Sequence, residues 1–216
     1  MKKFLLFFMI VLFIIGIYLL TKDNKELIFK IGDSLSLSIN SYNIKSYDNY
    51  YRDYLKDKYE DYIVYGNKNY RIGELIRDIE NNIKINNRNI QNILIKSDLV
   101  IVEIGIDEIN MALNVNNKYE YLDGLVNDMN KLIKLIRLYC KEKIVLVGYY
   151  NSSGESNQKY IDYINNKYYE ISKKYRITFI NVDELNKDKY FSNNNYYLND
   201  KGYNWLNNEI IERVYK

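Results

Sequence analysis

The chain has 216 residues, enough for one core-forming domain plus an appendage. Its 31 Lys and Arg against 28 Asp and Glu leave +3, spread without a basic block, which excludes a nucleic-acid footprint built on clustered positive charge. A single cysteine, Cys140, excludes an intramolecular disulfide and a cysteine-based metal cluster, and histidine and proline are absent altogether. The chain also carries 25 tyrosines and one alanine, Ala112, amid abundant Asn, Lys and Ile. That skew follows AT-rich codons, as in an AT-rich bacterial genome. The abundance of Tyr and Asn is therefore poor evidence for sugar binding by itself.

Lys2-Lys3 precede an uncharged run from Phe4 to Leu20. Its length sits at the short end of what spans a bilayer, and exceeds the roughly 7–15 residue core of a cleaved signal peptide. No small-x-small cleavage site follows it. The expectation is one N-terminal transmembrane helix, an uncleaved signal anchor with the N-terminus cytoplasmic and the domain outside the cell membrane. The alternative is secretion after signal cleavage. Residues 1–21 are then the anchor, 22–26 a linker, and 27–216 a single domain.

Leu27 to Ile31 reads as a short buried strand with Gly32-Asp33-Ser34 as its exit turn. Tyr47 to Tyr59 alternates charges and aromatics at helical spacing, and Asp61 to Tyr65 is a second strand ending at Gly66-Asn67. Apolar residues at Ile72, Leu75, Ile76, Ile79 and Ile83 predict a helix over Ile72 to Ile85, and Asn89 to Ile95 adds a turn or two more. Asp98 to Ile104 is the clearest strand, nearly continuous in β-branched residues as in a parallel strand covered on both faces. It exits at Gly105-Ile106-Asp107-Glu108.

The stripe Leu122, Leu125, Val126, Met129, Leu132, Ile133 and Ile136 predicts a long helix over Tyr119 to Tyr139, with Cys140 as a packed thiol at its end. Ile144 to Val147 is a fourth strand ending at Gly148. Asn151 to Ser156 is a polar loop, Gln158 to Tyr175 a helix, Ile177 to Val182 a fifth strand, and Lys201 to Val214 a closing helix. This alternation predicts a three-layer α/β/α sandwich around a five-stranded, mostly parallel sheet.

The strand exits carry short motifs in order: Gly32-Asp33-Ser34-Leu35, then Gly66, then Gly105-Ile106-Asp107-Glu108. Near the C-terminus lies Asn194-Asn195-Tyr196-Tyr197-Leu198-Asn199-Asp200-Lys201-Gly202-Tyr203. The ordered set resembles the SGNH/GDSL hydrolase family, whose members cleave esters of lipids and acylated sugars. The resemblance runs from about Leu27 to the C-terminus and implies a flavodoxin-like sheet.

It places Ser34 at the nucleophile position, with its backbone N–H and that of Gly66 as oxyanion donors. The third block resembles Gly-x-Asn-Asp, and Asp107 stands where the family has its amide donor; an ionised carboxylate donates nothing. The last block resembles Asp-x-x-His. Counting back from Gly202-Tyr203, Tyr197 falls on the histidine position and Asn194 on the aspartate position. A tyrosine with an ordinary pKa near 10 is a poor base at neutral pH.

Asp33, Asp107, Glu108 and Asp200 could converge as oxygen ligands for a hard cation. The bland reading makes Asp33 a turn residue, Asp200 a helix-start residue and Glu108 a loop charge, and is the better one. Asp107 acting as base for Ser34 is a lesser alternative. Two functional classes stay open. One is a membrane-anchored SGNH-type ester hydrolase acting on acylated envelope glycans or lipids, impaired or working by an atypical base. The other is a non-catalytic descendant that binds a glycan, lipid or protein at the cell surface. No cofactor, metal or nucleic-acid partner is expected.

Overall fold

A computed structural model describes residues 25–38, 48–151, 155–191 and 197–216. Five strands form one parallel sheet: β1 (Glu26–Gly32), β2 (Tyr59–Gly66), β5 (Leu99–Glu103), β6 (Lys143–Val147) and β7 (Thr178–Ile180), in the order β2-β1-β5-β6-β7. Two short strands, β3 (Lys84–Ile85) and β4 (Arg88–Asn89), pair antiparallel outside it. The helices are α1 (Asp48–Leu55), α2 (Ile72–Glu80), α3 (Ile90–Lys96), α4 (Ile106–Ala112), α5 (Lys118–Tyr139), α6 (Gln158–Tyr175) and α7 (Asp200–Tyr215).

The sheet is parallel because each strand is followed by a helical crossover, and such crossovers are right-handed, which covers both faces. α5 packs against α2, α3, α4 and α6 on one side, and α1 packs on α7 and β2 on the other. Strands buried on both faces read as unbroken apolar runs, and β5 (LVIVE) is buried at every position. The chain leaves β1 for β2 on one side, then returns to β5 on the other. The order therefore reverses between β1 and β5, and in open α/β sheets ligands gather at the carboxyl ends beside such a reversal.

Two expectations shift. The helix from Ile72 stops at Glu80 rather than running to Ile85, because Asn82 turns to φ +51°. Asn86 and Asn87, at φ +48° and +64°, then make the two-residue turn that joins β3 to β4, a conformation Asn tolerates better than most residues. Gly105 to Glu108 is no plain loop: Gly105 is followed at once by α4. No helix among the described residues is long and apolar enough to cross a membrane, and the Phe4 to Leu20 run lies outside the described residues.

One pair breaks the apolar pattern of the sheet. Lys30 on β1 and Glu103 on β5 have fully buried side chains, with Nζ 2.9 Å from Oε2. No described residue gives either Glu103 oxygen a well-aligned hydrogen bond, so charge proximity holds the pair. Burial pushes the Glu103 carboxyl above its ordinary value, and the Lys30 ammonium pulls it back. Lys30 also reaches Ser38 Oγ at 3.5 Å, in the turn that carries Ser34. Beside the pair, Tyr51 on α1 donates to Asn207 Oδ1 on α7 at 3.0 Å, which ties the two helices of that face together.

Candidate functional site

Gly32 ends β1 and stands in register with both Gly66 on β2 and Glu103 on β5, so the first three motif blocks lie side by side at the carboxyl edge. The close approach requires glycine twice. Gly32 has φ +152°, and a Cβ there would overlap the Glu103 carbonyl. A Cβ on Gly66 would overlap the Gly32 carbonyl and lie 2.6 Å from Ser36 Oγ.

The turn after β1 is fastened by Asp33, which is fully buried. Its Oδ1 accepts from Leu35 N at 2.9 Å, and its Oδ2 from Gly105 N at 2.6 Å and Ile106 N at 2.9 Å. Its own N–H donates to Glu103 O at 3.1 Å, and Ser36 Oγ donates to its carbonyl at 2.8 Å. Asp33 thus links the Ser34 turn to the Gly105–Asp107 loop. Burial, opposed by the three N–H groups and aided by the Asp107 charge, pushes its carboxyl up to about 7. The reading of Asp33 as a turn residue missed this second role.

Ser34 is completely buried, and its Oγ has no hydrogen-bond partner among the described residues. Asp107 sits half-buried in the first turn of α4. Tyr197 is half-buried at the same cluster: its phenol is pushed above its ordinary value by burial first, then by the Asp107 and Asp33 carboxylates. Ser34, Gly66, Asp107 and Tyr197 thus fall at one edge of the sheet. Asn194 lies outside the described residues.

Glu108 is not a loop charge. It sits in α4, buried, accepting from Ile72 N at 2.8 Å, and burial raises its carboxyl. Asp200 begins α7, but the cap is Asn199, whose Oδ1 accepts from Lys201 N at 2.9 Å and Gly202 N at 3.1 Å. Among the described residues, no three carboxylate, thiol or imidazole groups are arranged to hold a metal ion.

Two supporting residues had no motif to announce them. Tyr149 follows β6 and donates from its hydroxyl to Ile104 O, bracing the Gly105 loop from below. Asn165 on α6 brackets the Tyr149 backbone, its Oδ1 accepting from N–H and its Nδ2 donating to C=O, both at 2.9 Å. The one signal was an asparagine beside Ile161, Ile164 and Tyr168 on the buried face of α6.

No family model matches this sequence, and no curated protein matches it. Solved structures do. A lipase from a goat rumen metagenome superposes with a TM-score of 0.76 at 16% identity, covering 88% of this chain and 98% of its own. Acetylxylan esterase Axe2 from Geobacillus stearothermophilus gives 0.68 at 14%, covering 91% and 97%. TesA gives 0.66 at 12%, covering 88% and 98%. The fold is therefore SGNH/GDSL hydrolase-like.

Proposed function

We propose that this chain is a membrane-tethered, extracytoplasmic SGNH hydrolase-like protein that engages an acylated envelope glycan or lipid at the Ser34 edge with its ester-cleaving chemistry impaired. The observation that carries the reading is the state of Ser34. Its hydroxyl is buried without a partner, and the chain holds no histidine to take its proton. A serine is a weak nucleophile until an adjacent base activates it. Tyr197, at the position the resemblance gives to histidine, is a phenol with a raised pKa, hence protonated at neutral pH. Asp107, at the amide-donor position, has a carboxylate to offer where an oxyanion needs N–H groups.

Enzymes stripped of a triad member keep about 10³–10⁴-fold over water through the oxyanion hole and binding alone. With the donor position also altered, turnover of simple esters falls below that residue of activity. The test is hydrolysis of a chromogenic acetate by the full chain in detergent, with Ser34→Ala as control. Equal background rates in both are expected. Robust turnover that disappears in Ser34→Ala would overturn the reading in favour of an esterase with an atypical base. Restoring Asn194→Asp, Tyr197→His and Asp107→Asn together should raise turnover, provided Ser34 is present. A folded triple variant that gains nothing would undo the assignment of the last block.

A further inference from the structure

A concave groove of about 640 Å³ lies at the opposite end of the sheet, between α6, the edge strand β7 and the last turns of α7. Between β1 and β7 stand two further strands, so at about 4.8 Å per strand the groove is about 14 Å or more from the Ser34 edge. Its volume falls within the roughly 300–1,000 Å³ typical of small-ligand sites.

The floor is aromatic. Tyr169 of α6 is 47% exposed, and its ring centroid stands 6.0 Å from that of Phe179 on β7. Phe179 is seated by Gly148, where a Cβ would come within 2.9 Å of its Cζ. Lys173 lies over the Tyr169 ring at 4.1 Å, a contact its flexible stem can give up.

The walls are polar and open to solvent. Asp162 accepts from Gln158 on Oδ1 at 2.7 Å and Asp183 from Asn181 on Oδ2 at 2.9 Å, and among the described residues the second oxygen of each has no hydrogen-bond partner. Arg213 donates from Nε to Glu209 at 2.8 Å, and among the described residues its terminal N–H groups have no hydrogen-bond partner. Asn166 is exposed and makes no side-chain hydrogen bond to another described residue. Asp162 and Asp183 face Arg213, with the Lys173 ammonium beside the Tyr169 ring, so the groove carries charges of both signs and no excess of cations to draw an anion. Acceptors, donors and an aromatic face side by side match a neutral polyol, whose hydroxyls both give and take hydrogen bonds. Its C–H face packs on the negative face of an aromatic ring.

We propose that this groove is a second ligand site, taking one or two units of a neutral saccharide and acting independently of the Ser34 cluster. Tyrosine is common in this chain, so the ring alone would carry little; the concavity and the donors and acceptors set around the ring carry the proposal.

The test is saturation-transfer NMR and calorimetry on the full chain in detergent, with xylohexaose, cellohexaose and chitohexaose as neutral probes and an oligogalacturonate as the anionic one. Saturable binding of at least one neutral probe is expected. Tyr169→Ala should weaken it at least tenfold, Asn166→Ala several-fold, and Ser34→Ala should leave it unchanged. Because Tyr169 is exposed, its truncation leaves the core intact, which far-UV circular dichroism checks; should it misfold, Asn166→Ala reads the same site. Absence of saturable binding to all three neutral probes overturns the proposal, as does binding that survives Tyr169→Ala, binding lost in Ser34→Ala, or a preference for the anionic sugar. None of these outcomes bears on whether Ser34 cleaves esters.

Discussion

Replacing Lys30 by methionine keeps most of the volume of the stem and removes its ammonium, which leaves the Glu103 carboxyl buried without its charge partner. Breaking a buried ion pair from one side typically costs about 3–5 kcal/mol. Here proton chemistry limits the cost. An unpaired Glu103 escapes by binding a proton, and at about 1.36 kcal/mol per pH unit, protonating a carboxyl of ordinary value 4.5 at pH 7 costs about 3 kcal/mol. At pH 5 the same step costs under about 1 kcal/mol. The variant's folded state holds this proton where the unfolded chain has shed it, so its stability declines as pH rises above the ordinary carboxyl value.

Urea unfolding at pH 5, 6 and 7 reads the effect as a difference from wild type, in which other titrations cancel. The Lys30→Met deficit should be small at pH 5 and reach about 3 kcal/mol at pH 7. Glu103→Gln leaves a buried ammonium instead, and its deficit should run the other way, shrinking toward alkaline pH. Lys30→Met with Glu103→Leu removes both charges and should recover most of the loss, since apolar replacements of buried pairs are often neutral or stabilising. A Lys30→Met deficit independent of pH, or a double variant as unstable as the single one, would refute the buried-charge account.

Asp33 makes a further pH prediction. Its carboxyl is held up at about 7 in the fold, against an ordinary value of 3.8. Between those values the native state keeps a proton that the unfolded chain loses. Stability should therefore fall from about pH 4 to about pH 7, by on the order of 4 kcal/mol, and level off above. Asp33→Asn should flatten that slope, and a carboxyl-carbon NMR titration placing Asp33 below 4 would show that its three N–H donors outweigh burial. Gly66→Ala drives a Cβ into the Gly32 carbonyl and should cost about 3 kcal/mol or more in urea or thermal unfolding, beyond the usual range for a point change. A loss under about 1 kcal/mol would mean that β1 and β2 separate easily there.

Much of this architecture can be read from local pattern. β5 announces itself because a strand covered on both faces is apolar throughout, and α5 because its apolar residues recur on one stripe. What could not be read depends on partners remote in the chain. Lys30 interrupts the apolar run of β1, and only the neighbouring strand explains it, by setting Glu103 against it. Asp33 looks like a turn residue until Gly105 and Ile106 are brought beneath its carboxylate. The β3–β4 hairpin was hidden because Ile83 and Ile85 extend the helical stripe, while Asn82, Asn86 and Asn87 redirect the backbone. At the candidate site the motif residues and their carboxylates were legible, and the remote N–H groups that hold Asp33 and Glu108 were not.

Those charges bear on the site alongside the missing histidine. Burial comes first in raising the Asp33 carboxyl and the Tyr197 phenol, and the Asp107 charge adds to both, so Asp107 contributes negative potential at this edge of the sheet. A negative potential opposes each step that would make Ser34 a nucleophile, because its alkoxide and the tetrahedral oxyanion both add negative charge there. Opposing charge weighs more in a buried cluster than in water, since a lower dielectric strengthens it. Supplying a base at position 197 alone would leave that opposition in place, which is why the restoring substitutions include Asp107→Asn. The glycine close approaches and the Asp33 fastener hold the edge in shape whether or not an ester is cleaved.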